Sequence, residues 1–207
     1  MNDLKGKVVL ITGAGKGAGR ALALAFAERG ALVAANDISP INVEEVAAEI
    51  AAHGGQAKAY IEDVAKKVGV QYLVKSVEDD FGKIDILVNH AAVEPHTPLL
   101  HMDEWDWHRT LDVNLTSVFL TMQSVGRMMK KQGHGAILNI VAGSGEGAKK
   151  DAGAYLSSKA GAAVLSQQAD LELSPHGIRV CAVENSADVI NDVMFMLDAW
   201  RHNEGIA

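Results

Sequence analysis

The chain has 207 residues, 48% of them hydrophobic and 22% charged, with a formal net charge of −7. That is apolar material for one compact domain, residues 1–207, and an acidic chain without a basic block excludes a nucleic-acid-binding surface. The lone cysteine, Cys181, excludes an intrachain disulfide scaffold, and with a polar N-terminus and no apolar run of ~18 residues a soluble cytoplasmic protein, with no membrane partner, is expected.

Val8-Val9-Leu10-Ile11 reads as a buried strand, and Arg20 to Gly30 as a helix with a glycine stop. Between them lies Thr12-Gly13-Ala14-Gly15-Lys16-Gly17-Ala18-Gly19. Strand, glycine turn and helix in this order make a dinucleotide cradle, because glycines admit a pyrophosphate close to the backbone and the helix N-terminus offers unpaired N–H groups. A second apolar run, Ala31 to Asn36, ends in Asp37, where an acidic residue would bind an adenosine ribose through its hydroxyls.

Candidate strands follow at Val8–Thr12, Ala31–Asn36, Ala57–Glu62, Ile84–Asn89, Ala136–Val141 and Ile178–Val183. Helical patterns fall near Gly17–Arg29, Asn42–His53, Val64–Phe81, Asp103–Lys131 and Ala152–Leu173, the fourth expected to break near its start. This alternation predicts an α/β, Rossmann-type doubly wound parallel sheet of six strands, a seventh missing or degenerate, with helices on both faces and the ligand outside the strands' C-terminal ends.

Tyr155-Leu156-Ser157-Ser158-Lys159 places a phenol and an ammonium four residues apart on one helix face. A free tyrosine, with a pKa of about 10, is a poor base near neutrality, and a neighbouring ammonium favours its phenolate. Such a pair can move a proton at an alcohol oxygen while a nicotinamide moves the hydride. The same spacing also suits a half-buried tyrosine beside a solvated lysine.

Taken together, these segments resemble the short-chain dehydrogenase/reductase family from Lys5 to about Val183. Thr12-Gly13-x-x-x-Gly17-x-Gly19 is similar to its cofactor turn, Asp63-Val64 to its adenine contact, Phe81 to Asn89 to its fourth-strand signature, Val113-Asn114-Leu115 to the helix carrying its Asn, and Tyr155 with Lys159 to its reactive pair. The resemblance implies that Tyr155 gives or takes the proton, that Lys159 lowers its pKa and binds the nicotinamide ribose, and that Asn114 holds a relay water. It implies cofactor contacts at Gly13, Lys16, Gly17, Ala18, Gly19, Asp37, Ile38, Asp63, Val64, Asn89, Ala91, Tyr155 and Lys159. Asp37 favours NAD over NADP, although Lys16 resembles the basic residue of NADP-using members. Nothing in the histidine spacing proposes a metal.

Three departures from the family pattern stand out. The position of the family's carbonyl-binding serine, thirteen residues before the tyrosine, holds Ala142, with Ser144 two residues on as a possible replacement. Asn89-His90-Ala91-Ala92 replaces the usual Asn-Asn-Ala-Gly, and a structural role is expected for His90. After Val183 the substrate-covering segment is expected to be deleted, leaving strand six at an open edge that Met194, Phe195, Met196 and Trp200 would shield, unless they pack in the core or meet another subunit. The reading is therefore an NAD(H)-dependent oxidoreductase of reduced efficiency acting on a small-molecule alcohol or ketone. The alternative is a dinucleotide-binding or subunit-forming homologue without efficient catalysis. A homodimer or homotetramer is expected. Glu94, His96 and the polar run Glu146–Asp151 suggest a wet pocket, and Lys149 and Lys150 are either solvated or placed to attract an anion.

Overall fold

The computed structural model describes residues 4–142 and 149–204, with only the backbone of 201–204. Six strands, β1 (Val8–Thr12), β2 (Leu32–Asp37), β3 (Gln56–Ile61), β4 (Ile86–Asn89), β5 (Gly135–Val141) and β6 (Ile178–Glu184), form one parallel sheet in the order β3-β2-β1-β4-β5-β6. The expected doubly wound Rossmann architecture is therefore present. Succession runs outward in one direction from β1 and in the other from β4. The crevice at their C-terminal ends is the switch point where such sheets bind ligands.

Alternating side chains divide the core. Val9 and Ile11 of β1 join α1 (Gly17–Glu28), α2 (Pro40–Ala52) and α7 (Val189–Glu204) on one face, through Leu22, Phe26, Val46, Ile50, Val193 and Leu197. Val8 and Leu10 join α3 (Lys67–Phe81), α5 (Ser117–Gln132) and α6 (Gly153–Leu173) on the other, through Leu73, Val77, Met122, Val125 and Leu165. Both faces are covered, which is why these strands read as continuous apolar runs.

The span expected to break near Asp103 does not break. Asp103 caps α4 (Glu104–Leu111), its carboxylate accepting from the Asp106 N–H at 2.7 Å. A π turn over Asp112–Thr116 then carries the helix directly into α5, with the Ser117 N–H reaching back to the Asp112 carbonyl. One extra residue is absorbed without losing helical direction, as π turns do at functional sites. The absorbed segment contains Asn114. Elsewhere the boundaries shift by a few residues: Asp37 closes β2, and α3 starts at Lys67 because Asp63 to Lys66 form a turn.

β6 lies at one end of the strand order among the described residues, as expected, and four residues separate it from α7. Val189, Val193, Leu197 and Trp200 of α7 are buried beside Ile140 and Val183, and Met194 and Met196 pack partly against them. Phe195 remains exposed. Core packing is thus the role of Trp200 and the two methionines. No helix among the described residues is long and apolar enough to cross a membrane.

Candidate active site

The glycine turn owes its shape to the protein's own packing at Gly13, Gly15 and Gly19, and a Cβ on Gly15 would stand 2.7 Å from Asp37 Oδ2 and 2.8 Å from Asn42 Cβ. A Cβ on Gly19 would strike the Gly13 carbonyl oxygen and stand 2.7 Å from His90 Nδ1, and one on Gly13 would stand 2.7 Å from the Ala91 Cα. Gly17 differs: its φ of +56° disfavours any side chain, yet a Cβ there would meet open space. Beyond it, Gly17, Ala18 and Gly19 open α1, whose first turn has neither a side-chain cap nor an acidic residue, and exposed Lys16 precedes them as N-cap. An uncapped N-terminus of a twelve-residue helix behind an open glycine turn fits a pyrophosphate.

Asp37 faces the same turn. Its Oδ2 accepts from the Gly15 N–H at 2.9 Å and its Oδ1 from the Ser39 N–H at 2.9 Å. Two contacts leave a carboxylate room to accept from two ribose hydroxyls. The neighbouring Ile38 is exposed. Asn36, buried one position earlier, donates to the Tyr60 and Glu62 carbonyls at 3.1 Å each and so fixes the end of β3 beside β2. Asp63 then follows, its Oδ1 accepting from the Ala65 N–H at 3.0 Å and its Oδ2 lying 3.3 Å from Lys66 Nζ, and Val64 is buried. These residues fit the adenosine end of a dinucleotide.

Thr12 joins the two central strands: its Oγ1 accepts from the His90 N–H at 3.2 Å and the Ala91 N–H at 3.3 Å. His90 Nδ1 lies 3.2 Å from the Gly13 carbonyl, which only accepts, so Nδ1 carries the proton. Burial lowers the His90 pKa, and the Lys159 charge lowers it further, keeping the ring neutral. His90 has the expected structural role.

The Asn89 side chain is buried and bonded within the protein. Its Nδ2 donates to Asn139 Oδ1 at 2.8 Å, and its Oδ1 accepts from Thr121 Oγ1 at 2.8 Å, while Asn139 donates to Ser166 Oγ at 2.8 Å. This buried chain pins β4, β5, α5 and α6 together. Sequence reading missed Thr12, Thr121, Asn139 and Ser166 as partners, because polar residues inside apolar runs reveal a network only once the strands pair.

Asn114 is completely buried and bonds three ways. Its Oδ1 accepts from the Val93 N–H and its Nδ2 donates to the Val93 carbonyl, both at 2.8 Å, and Nδ2 also donates to Ser158 Oγ at 3.0 Å. Ser158 in turn donates to the Tyr155 carbonyl at 2.6 Å. One side chain on the π turn therefore ties the loop after β4 to α6, between Tyr155 and Lys159. Tyr155 and Lys159 are 5% and 4% exposed. Lys159 Nζ lies 5.9 Å from the Tyr155 ring centroid and donates to the Ile140 carbonyl at 2.7 Å. Burial lowers the Lys159 pKa to about 8, against an opposing pull from the Glu94 charge. One of three ammonium donors is used by Ile140, which leaves capacity for a ribose hydroxyl. Ser144 lies outside the described residues, and Ala142 follows β5 directly.

Beside the pair, the loop after β4 meets the segment entering α6. Lys149 Nζ donates to Glu94 Oε1 at 2.8 Å, His96 Nε2 lies 3.7 Å from the same oxygen, and the Thr97 N–H donates to the Asp151 carbonyl at 2.9 Å. Lys149 is thus ion-paired. The described residues contain no group of three side chains able to hold a metal.

This geometry is a Rossmann cradle opening onto a buried tyrosine–lysine pair. Residues 7–187 match the family model described as short chain dehydrogenase, and the chain belongs to that oxidoreductase family. It is 39% identical over 184 residues to a 3-oxoacyl-[acyl-carrier-protein] reductase of Synechocystis sp., covering 88% of this chain and 74% of that protein. A crystal structure of an NAD+-bound xylitol dehydrogenase matches at TM-score 0.84 and 36% identity, covering 87% of this chain and 70% of that one. A metagenomic short-chain oxidoreductase in complex with NADP matches at TM-score 0.89 and 29% identity, covering 94% and 91%.

Proposed function

We propose that the chain is an NAD(H)-dependent oxidoreductase interconverting a secondary alcohol and a ketone, with Tyr155, Lys159 and Asn114 as its working residues. The observation that carries this reading is the buried Lys159 ammonium, 5.9 Å from the Tyr155 ring. When bound, a nicotinamide supplies or accepts the hydride. In the reducing direction Tyr155 gives its phenolic proton to the carbonyl oxygen, and the Lys159 charge stabilises the phenolate left behind. In the oxidising direction the phenolate takes the alcohol proton. Asn114 keeps Val93 and Ser158 in place, so the loop after β4 and the α6 face carrying Tyr155 hold a fixed separation.

Gly13, Lys16, Gly17, Ala18 and Gly19 would cradle the pyrophosphate, Asp37 and Ile38 the adenosine ribose and its base, and Asp63 with Val64 the adenine. Asn89 and Ala91 would contribute backbone atoms near the nicotinamide. Asp37 supports NAD, because its carboxylate would repel the 2′-phosphate of NADP. Ala142 supports reduced efficiency: losing one donor to a developing oxyanion commonly costs ~2.7–4 kcal/mol. The same residue favours the second reading, a dinucleotide-binding homologue without efficient turnover. Exposed Phe119 on α5 and Val164 and Leu171 on α6 support pairing of two copies through these helices.

Titration with NADH tests the shared cofactor claim. The expected result is a change in NADH fluorescence with micromolar-scale affinity, and NADPH binding more weakly. No response to either dinucleotide sinks the reading.

A further inference from the structure

We propose that Gly15 is a positioning residue for dinucleotide choice. Lacking a side chain, it lets the glycine turn close on Asp37 and hold that carboxylate where a free ribose 2′-hydroxyl fits and a 2′-phosphate does not. The proposal rests on the dinucleotide reading above and deepens its preference for NAD. The backbone at Gly15 does not itself require glycine: Gly13 and Gly17 have positive φ, whereas Gly15 does not. Space alone excludes a side chain there, and the atoms a Cβ would strike belong to Asp37 and Asn42, at 2.7 and 2.8 Å. At Gly13 and Gly19 the atoms struck belong to the turn itself, to His90 and to Ala91, so those two glycines shape the turn and not the carboxylate.

Two consecutive amides dock the turn onto the end of β2. The Ala14 N–H donates to the Asn36 carbonyl at 2.8 Å, and the Gly15 N–H to Asp37 Oδ2 at 2.9 Å. The other carboxylate oxygen accepts from the N–H of Ser39, the N-cap of α2, at 2.9 Å. Asp37 is therefore gripped through one oxygen by the turn and through the other by the cap of α2. A carboxylate fixed in advance loses less freedom on accepting ribose hydroxyls, and it cannot swing aside to relieve the repulsion of a phosphate. A methyl at position 15 pushes Oδ2 off its amide and frees the carboxylate. Selectivity is a difference between two affinities, so it falls once the repelling group can move.

Dissociation constants for NADH and NADPH, read from their fluorescence, test this without turnover in the parent, Gly15→Ala, Asp37→Ala and the double variant. Gly15→Ala is expected to lower the preference for NADH about tenfold, chiefly through weaker NADH binding. In the Asp37→Ala background the same substitution should leave the ratio unchanged within about twofold, because the group it acts through is gone. A turn merely damaged by the methyl would weaken both dinucleotides alike in both backgrounds, and that outcome overturns the proposal. If Gly15→Ala does not fold, adding Asn42→Gly removes the contact with α2, keeps the one with Asp37 and carries the same expectation. A parent that binds neither dinucleotide fells the dinucleotide reading along with this one, and a parent that binds both equally fells the NAD preference with it. An NADH preference that survives Gly15→Ala fells this proposal alone.

Discussion

Lys159 stands one helical turn from Tyr155 with its ammonium 5.9 Å from the ring centroid, and it is anchored by the Ile140 carbonyl at 2.7 Å. The lysine is therefore held by β5 rather than by its own helix, and the phenol shares that buried environment.

The anchoring has a consequence for stability against pH. Burial brings the Lys159 pKa down from 10.5 to about 8, so the folded protein releases this proton before the unfolded chain does. Below about pH 8 both states are charged and the folded state bears the desolvation cost. Between about pH 8 and 10.5 the unfolded chain binds more protons, and stability rises by up to ~1.4 kcal/mol per pH unit. Urea unfolding of parent and Lys159→Met protein across that window isolates the effect from other titrating groups. The parent should gain on the variant as pH rises, and parallel curves would contradict the buried-ammonium account.

Gly19 and Gly126 both sit in helices but meet different surroundings. A methyl on Gly19 collides with the Gly13 carbonyl and His90, whereas one on Gly126 finds Leu173 Cδ1 at an ordinary 3.7 Å. Gly19→Ala should destabilise by about 2 kcal/mol or more and weaken NADH binding. Gly126→Ala should stabilise by about 0.5–1 kcal/mol. Thermal and denaturant unfolding of both variants checks the contrast, and equal effects would mean the turn tolerates a wider gap between α1 and β1.

Asn114→Ala removes partners from the Val93 N–H, the Val93 carbonyl and Ser158 together. Orphaning these groups should cost about 2–4 kcal/mol. Asn114→Asp should fare no better, because a carboxylate cannot donate to Val93 or Ser158. Denaturant midpoints decide the matter, and a loss under about 0.5 kcal/mol would show the loop is held elsewhere.

Much of this architecture is legible in the sequence, for identifiable reasons. The strand runs around Leu10, Leu87 and Leu138 are apolar on both faces because both faces are covered, and the positive φ of Gly17 together with the crowding at Gly13 and Gly19 demands the glycines seen there. Tyr155 and Lys159 are close through helical spacing alone. What escaped depends on contacts between distant segments. Asn114 is picked out by its resemblance to the family's Asn, but neither the π turn around it nor its grip on Val93, twenty-one residues earlier, leaves a periodic trace. The side-chain bonds of Asn89 to Asn139 and Thr121, fifty and thirty-two positions away, leave no local trace either. Lys149 reads as a solvated loop lysine until Glu94 comes beside it.

Ala142 offers a gain-of-function test. If the missing hydroxyl limits the site, Ala142→Ser should raise the rate of ketone reduction by about 10²-fold, with NADH affinity unchanged. Steady-state kinetics on an activated diketone measures it, and no gain would mean that another group already serves the carbonyl oxygen.

The most direct measurement of the central claim is a single-turnover reaction. NADH-loaded protein is mixed with an excess of activated diketone, and loss of the 340 nm absorbance is followed in parent and Tyr155→Phe proteins. The account predicts one slow exponential in the parent, a rate about 10²–10⁴-fold lower in the variant, and equal NADH affinity in both. Equal rates in the two proteins would contradict it.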